Sequence, residues 1–285
     1  MAATPDVLLV TFALAPDGEP GGDLLVSELA GRGVGARWVV WDDPGVDWAG
    51  ARLVVVRAAW DYHRRCPEFL EWARRAAAAA PMLNGPDVFA WNADKSYLCA
   101  LADRVPVVPT ALLDDATLVP GLRAALERWG TVVIKPRTGA GGVGVVVAQS
   151  TTDHRLEGLT AGPWVVQPLV ESVRTDGETS VYVLDGGAVS QVAKAPGGDE
   201  IRVHELYGGS SRPVPVDAAL GRLAEDVVRA AAELLDADLP YARVDLMRWQ
   251  GAWVVSELEL IEPGLYLDVD PANAARFADL VARRV

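Results

Sequence analysis

Residues 131–148 read TVVIKPRTGAGGVGVVVA. An apolar β-branched run, Val132 to Ile134, ends on Lys135 and Pro136. A loop with Gly139, Gly141, Gly142 and Gly144 follows, and Val145 to Val147 leave it as a second β-rich run. Strand, lysine, glycine loop, strand suits the holding of phosphates. Glycines let backbone N–H groups approach an anion and tolerate positive φ, and the lysine adds a point charge. The spacing Gly139-Ala-Gly141-Gly-Val-Gly144 fits the dinucleotide fingerprint, but that fingerprint needs a helix directly behind it, and here a β run follows. A P-loop would close on Gly-Lys-Ser/Thr, which is absent. A kinase glycine loop would be followed by His-Arg-Asp and Asp-Phe-Gly, also absent. A plain glycine-rich hairpin has the same local sequence, so the loop alone does not decide.

Composition narrows the field. The chain has 285 residues, half of them hydrophobic, enough for a sizeable core and about two domains. No apolar stretch approaches the ~20 residues of a membrane span. The start, MAATPDVLLVTF, lacks the basic region and cleavage site of a signal peptide. Cys66 and Cys99 form no disulfide framework and suit a reducing cytoplasm. A net charge of −13 argues against nucleic-acid or anionic-membrane partners, but not against a nucleotide in a local basic pocket with metal ions.

The first ninety residues alternate strand and helix patterns: strands at Asp6–Thr11, Arg37–Trp41 and Arg52–Val56, a helix from a cap at Asp23, and another from Pro67 to Ala80. That is the pattern of an open α/β sheet, which binds ligands beyond the carboxyl ends of its strands. Arg57, Trp60 and Tyr62 stand there, and an arginine fork suits a carboxylate. A surface ion pair is the competing reading of Arg57. Next, Asn92 reads as a helix cap with Lys95 in the first turn, where the helix dipole disfavours a cation unless it holds an anion. Asp114–Trp129 reads as a helix stopped by Gly130, and Leu220–Leu234 as an amphipathic one. Two hairpins are expected, one about Asp185-Gly186-Gly187 and one about Arg248-Trp-Gln-Gly251.

In the second hairpin, Glu257 and Glu259 share one strand face, as do Arg243 and Asp245 on its partner strand. Three carboxylates on one face repel unless a cation joins them. Oxygen-only ligands suit Mg²⁺, which sits between carboxylates and substrate phosphates. The flanking residues, Trp253 to Val255, Leu258, Leu260 and Ile261, are too apolar for a freely solvated strand.

In order along the chain, Lys95, Lys135 with its glycine loop, Gln167-Pro168-Leu169, Arg202 with Gly208-Gly209, Asp245, and Glu257-Leu-Glu259 before Pro263 resemble the ATP-grasp ligases, in particular the glutathione-synthetase-like branch. A glutamate, Glu259, stands where that branch has an asparagine. Arg57 to Tyr62 and Trp91 to Lys95 further resemble a small bacterial group that includes D-cycloserine synthetase. The resemblance implies an ATP-grasp fold, α+β in its ATP-binding part, behind an N-terminal α/β substrate domain. The units expected are 1–91 (substrate domain), 92–175 (lid with the glycine loop) and 176–285 (C-terminal subdomain with the metal site). It implies that Lys95, Lys135 and the loop residues Thr138, Gly139, Ala140, Gly141 and Gly142 hold ATP phosphates. Gln167, Pro168 and Leu169 would meet adenine, and Glu171 or Glu178 the ribose. Lys194 and Arg202 would be catalytic at the γ-phosphoryl group, with Asp245, Glu257 and Glu259 holding Mg²⁺, two ions being expected. Arg57, Trp60, Tyr62 and Arg202 would receive the substrate. The function implied is ATP-dependent activation of a small amino-acid carboxylate followed by attack of a nitrogen, with cyclisation of O-ureido-D-serine to D-cycloserine the favoured case. The alternatives are an intermolecular peptide ligase and a nucleotide-binding regulator without turnover. Homo-oligomerisation is left open.

Overall fold

The computed structural model describes residues 6–285; residues 1–5, the beginning of the stretch read above for a signal peptide, lie outside them. The chain order is β1 (Val7–Thr11), α1 (Gly22–Gly31), β2 (Ala36–Val40), β3 (Leu53–Ala58), α2 (Cys66–Ala79), α3 (Gly85–Asn92), α4 (Tyr97–Leu101), β4 (Ala111–Leu113), α5 (Leu118–Trp129), β5 (Val132–Pro136), β6 (Val146–Ala148) and β7 (Trp164–Pro168). Then come β8 (Glu178–Leu184), β9 (Gly187–Ala195), β10 (Ser210–Val214), α6 (Ala218–Leu235), β11 (Tyr241–Trp249), β12 (Ala252–Glu259) and α7 (Ala272–Ala282).

Three sheets form. The N-terminal one is parallel, in the order β2-β1-β3. Its centre, Val7–Val10 and Leu53–Val56, is buried, as continuous aliphatic runs covered on both faces must be. The second is antiparallel, β4-β7-β5-β6, and carries the glycine loop between β5 and β6. The third is antiparallel, β10-β9-β8-β11-β12, with α6 packed on one face through Leu220, Ala224, Val227 and Ala231. Both expected hairpins of this sheet close on two-residue turns, Asp185-Gly186 (φ 49 and 78) and Gln250-Gly251 (φ 51 and 85). Positive φ at both residues matches the twist of the flanking strands, and Asp and Gly tolerate it.

The packing redraws the expected units at two places. Tyr97, Leu98, Leu101 and Val105 pack into the core of the five-stranded sheet rather than with the glycine-loop sheet. Helix α7 at the chain end packs on α1, with Phe277, Leu280 and Val281 in the same core as Val7, Leu9, Leu25 and Leu29. Among the described residues no helix is long and apolar enough to cross a membrane.

Candidate active site

β12 is an edge strand, and its outer edge is covered by side chains and loop backbone instead of another strand. The Asn92 amide donates to Leu258 O (2.8 Å) and accepts from Leu260 N (2.8 Å), while Leu258 N donates to the Tyr97 hydroxyl (2.9 Å). Further along, Val255 bonds Val108 N and Pro106 O at 2.9 Å each. Unpaired strand edges need such cover, and here it fixes how β12 presents its alternate side chains. It also corrects the expectation for Asn92, which closes α3 as its last residue instead of capping a helix start. Lys95 accordingly lies in the turn between α3 and α4, not in the first turn of a helix. That turn is clamped to the glycine loop. Arg137 grips Asp94 through both oxygens, at 2.8 Å for Nε to Oδ1, and Lys95 N donates to Arg137 O at 2.8 Å.

On the sheet face, register opposes Asp245 to Glu257 and Arg243 to Glu259, and sets Glu178 opposite Lys194. One oxygen each from Asp245, Glu257 and Glu259 lie within 4.8 Å of one another. Arg243 binds both oxygens of Asp245 (3.0 and 2.8 Å) and also Glu259. Lys194 is paired with Glu178 and, at 3.2 Å, with Asp245, and Lys95 is paired with Glu257. Ser180 and Ser256 donate to Asp245 and Glu178. Lys135, near the end of β5, has no carboxylate partner within 4.0 Å among the described residues. Lys95, Lys135 and Lys194 are the chain's three lysines. That all three meet here while the surface carries arginine is a compositional signal the sequence reading passed over.

The charges work on one another. Burial opposes the ammonium of Lys95, but the Glu257 carboxylate outweighs it and holds the proton more firmly than usual. Burial pulls Lys135 down; Glu257 resists, and the neighbouring Lys95 adds to the pull. Burial would raise Asp245, but Arg243 and Lys194 overcome it and hold the carboxyl below the usual range. Glu259 goes the other way: burial, against Arg243 but with Asp245 and Glu257 adding, pushes it up to about 7. A carboxylate face of this kind, oxygen-only and incompletely neutralised, fits a divalent hard cation.

The glycine loop lies across the site. A Cβ at Gly142, which has φ 71, would stand 3.1 Å from Arg202 Cδ and 3.3 Å from the Tyr207 ring, so the loop touches the arginine segment there. Ala140 packs against the aromatic core of the N-terminal sheet. Thr138, Gly139 and Gly141 complete the loop between β5 and β6. Arg202 is held by Glu200, whose carboxyl it keeps down at about 2, and stacks on the Tyr207 ring at 3.5 Å.

Other sites expected from sequence are placed differently. Arg57 is fully buried, paired with Glu19 at 3.5 Å and with Pro263 O, and lies over the Phe277 ring at 4.5 Å. It is sealed between α7 and the N-terminal sheet, so burial keeps a substrate carboxylate from reaching it; Glu19 and Pro263 O engage Nη2 alone, while Nε and Nη1 have no hydrogen-bond partner among the described residues. The Tyr62 ring packs on Phe69 (5.3 Å) in the core, while Trp60 Nε1 donates to Glu262 O at 3.3 Å. Gln167 is buried and donates to the Thr110 hydroxyl at 2.9 Å. Pro168, the last residue of β7, pairs with Val132. Leu169 N donates to Thr131 O (3.0 Å), so that N–H is not free for a base. Glu171 is in an exposed pair with Arg174 (3.4 Å), whereas Glu178 is buried in the cluster, which separates the two ribose candidates. The sequence reading also missed Glu262, a buried carboxyl beside the cluster.

A family model described as the N-terminal domain of D-cycloserine synthetase DcsG matches residues 7–84. The cycloserine biosynthesis protein DcsG of Streptomyces lavendulae is 31% identical over 268 residues, 89% of this chain and 90% of the relative. The chain belongs to the D-cycloserine synthetase family of ATP-grasp ligases. The crystal structure of D-cycloserine synthetase DcsG superposes with a TM-score of 0.86 at 28% identity, covering 98% of this chain and 99% of that one. Two more distant ATP-grasp ligases share the fold. D-alanine–D-alanine ligase of Bacillus anthracis gives a TM-score of 0.69 at 12% identity over 98% and 97% of the chains, and PsnB, solved with its minimal precursor, Mg and ADP, gives 0.64 at 18% over 98% of each. As a member of the D-cycloserine synthetase family the protein is an ATP-dependent, ADP-forming carbon–nitrogen ligase.

Proposed function

We propose that the protein activates the carboxylate of a small amino-acid-like substrate as an acyl phosphate, and that a nitrogen of the same molecule then closes a ring. O-ureido-D-serine, giving D-cycloserine, is the substrate that fits best. The observation that carries the reading is the meeting of all three lysines with Asp245, Glu257 and Glu259 beneath a glycine loop that touches Arg202. Full-length similarity to D-cycloserine synthetase supports the choice of substrate.

In this reading Lys95 and Lys135 hold the ATP phosphates, with Thr138 to Gly142 closing over them. Gln167, Pro168 and the non-donating side of Leu169 border adenine, and Glu178 is the ribose candidate. Asp245, Glu257 and Glu259 would hold Mg²⁺, two ions being the number we favour; the metal supplies charge neutralisation for the phosphates. The substrate carboxylate attacks the γ-phosphorus and ADP leaves, with Lys194 and Arg202 stabilising the charge on the transferring group. The ureido-oxy nitrogen displaces phosphate, and the carbamoyl group departs with water as carbon dioxide and ammonia. Trp60 and the hydroxyl side of Tyr62 wall the site from water, which would hydrolyse the acyl phosphate. A cytoplasmic location suits an enzyme that consumes ATP.

The test is ADP release with O-ureido-D-serine alone, then with pairs of free amino acids. ADP and D-cycloserine from the single compound support the reading. ADP formed only when two amino acids are supplied overturns it in favour of an intermolecular ligase.

A further inference from the structure

β12 leads into the segment Ile261-Glu262-Pro263-Gly264-Leu265-Tyr266, whose backbone carbonyls all accept hydrogen bonds. Four consecutive carbonyls accept from four side chains: Glu262 O from Trp60 Nε1 (3.3 Å), Pro263 O from Arg57, Gly264 O from the Tyr182 hydroxyl, and Leu265 O from Asn273 (2.9 Å). Leu265 N donates to Glu19. Tyr266 is held at φ 52, a conformation unfavourable to a residue with a Cβ. So many bonds to one short loop, from residues spread along the chain, fix it in place.

The Glu262 carboxylate is the exception. The residue is 6% exposed, yet among the described residues its carboxyl has no hydrogen bond and no ion pair within 4.0 Å. It stands three residues beyond Glu259, the last residue of β12, and its own carbonyl accepts from Trp60, so it lies between the metal-side carboxylates and the N-terminal wall. It is not one of the three acids whose oxygens converge within 4.8 Å. Burial and the nearby Glu259 push this carboxyl well above its ordinary range. Its oxygens are not among the sealed polar atoms that lack a partner, so the carboxyl of this otherwise buried residue faces open space, where a rigid loop holds it ready for a cation. Lys95 and Lys194 cannot serve, because Glu257, Glu178 and Asp245 already engage them.

We propose that Glu262 receives the α-ammonium group of the amino-acid substrate and is the residue that makes the enzyme specific for an amino acid over the corresponding simple acid. The inference rests on the amino-acid ligase reading above. In an α-amino acid the ammonium lies two bonds from the carboxylate carbon, so a substrate whose carboxylate faces the metal-side acids brings its ammonium into the space beside them, where Glu262 stands. The pairing has a chemical consequence. A nitrogen held as ammonium has no lone pair, so it cannot attack the acyl phosphate, and closure is left to the neutral ureido-oxy nitrogen.

The experiment compares O-ureido-D-serine with its desamino counterpart, 3-(ureidooxy)propanoate, in the parent, Glu262→Gln and Glu262→Asp, by ADP release. Glu262→Gln should raise KM for the amino acid by about 30-fold or more, the loss typical of a buried charge pair. KM for the desamino acid and for ATP should stay as in the parent, and Glu262→Asp should restore part of the discrimination. Thermal unfolding and Mg-ADP binding check the fold, and if the Gln variant does not fold the Asp variant alone carries the comparison. Equal losses on both substrates, or a parent that does not prefer the amino acid, overturn the proposal. If the parent releases ADP with another amino acid but not with O-ureido-D-serine, cyclisation is wrong, and Glu262 is tested on that amino acid and its desamino partner. If only carboxylates without an amine are activated, Glu262 has been misassigned although the ligase stands.

Discussion

Arg57 and Arg243 are both buried arginines on sheets, and their surroundings differ in one decisive respect. Arg57 meets one carboxylate, Glu19, and one backbone carbonyl, both at Nη2, and its guanidinium lies over the faces of Phe277 and Tyr241 with the remaining nitrogens lacking a hydrogen-bond partner among the described residues. Arg243 meets two carboxylates, Asp245 and Glu259, on a face that also holds Glu178 and Glu257, with Glu262 in the loop beside it, against Lys95, Lys135 and Lys194. The first region is electrostatically closed and ties α7 and the Glu262 loop to the N-terminal sheet. The second carries more carboxylate than the neighbouring cations neutralise, five acids against four cations, alongside a lysine, Lys135, without a carboxylate partner among the described residues. Buried charge of the first kind holds a fold together; of the second kind, it waits for a ligand.

The contrast can be broken by variants that separate rate from stability. Lys135→Ala should lower kcat about a thousand-fold, as the loss of a preorganised charge at a transferring group does, with no fall in Tm. Full activity in a folded variant would remove Lys135 from the phosphate site. Arg57→Met should do the reverse. It strands Glu19 and should cost about 3 kcal/mol of stability, leaving KM for ATP unchanged in the fraction that folds. A parental Tm would show that Arg57 does not hold the fold together.

Glu257→Gln sharpens the comparison from the metal side. The amide keeps the shape but loses the charge that would bind Mg²⁺, so the Mg²⁺ concentration for half-maximal turnover should rise at least about tenfold, while binding of adenosine is unaffected. An unchanged Mg²⁺ titration would make the three-carboxylate face an ordinary ion-pair network, like that of Arg57 but larger.

What could be read from sequence follows the range of the interactions. The Asp185-Gly186 and Gln250-Gly251 turns are local chemistry, and both were expected. So was the shared face of Glu257 and Glu259, since alternation is a property of one strand. Arg57 was misplaced because its partners, Glu19 and Pro263, lie 38 and 206 residues away. Asn92 was misjudged for the same reason: it looks like a helix cap, but it bonds an edge strand 166 residues on. Glu262 carries no motif at all. Only the assembled loop shows that the backbone carbonyls around it are engaged and its carboxyl is not.

The smallest effect lies where the two regions are joined at the surface. Asp185, in the β8–β9 turn, is paired with Arg283 and Arg284 at the chain end, and so links the five-stranded sheet to the segment following α7. Burial would raise its pKa, but the hydrogen bonds from Arg284 and Arg283 outweigh that and hold it below 3.8. The sign follows. A carboxyl depressed in the folded state contributes stability that is fully present above its unfolded pKa of 3.8 and is lost as pH falls through the lower folded value. Asn tolerates the left-handed conformation at this turn (φ 49), so Asp185→Asn removes the charge without breaking the hairpin. At neutral pH the variant should be less stable by about 1 kcal/mol, the upper end for a partly exposed pair. The difference should vanish below the folded pKa of Asp185, while kcat and KM match the parent throughout. A stability gap that persists unchanged at pH values well below 3.8 would mean that the turn geometry, and not the ion pair, holds the two regions together there.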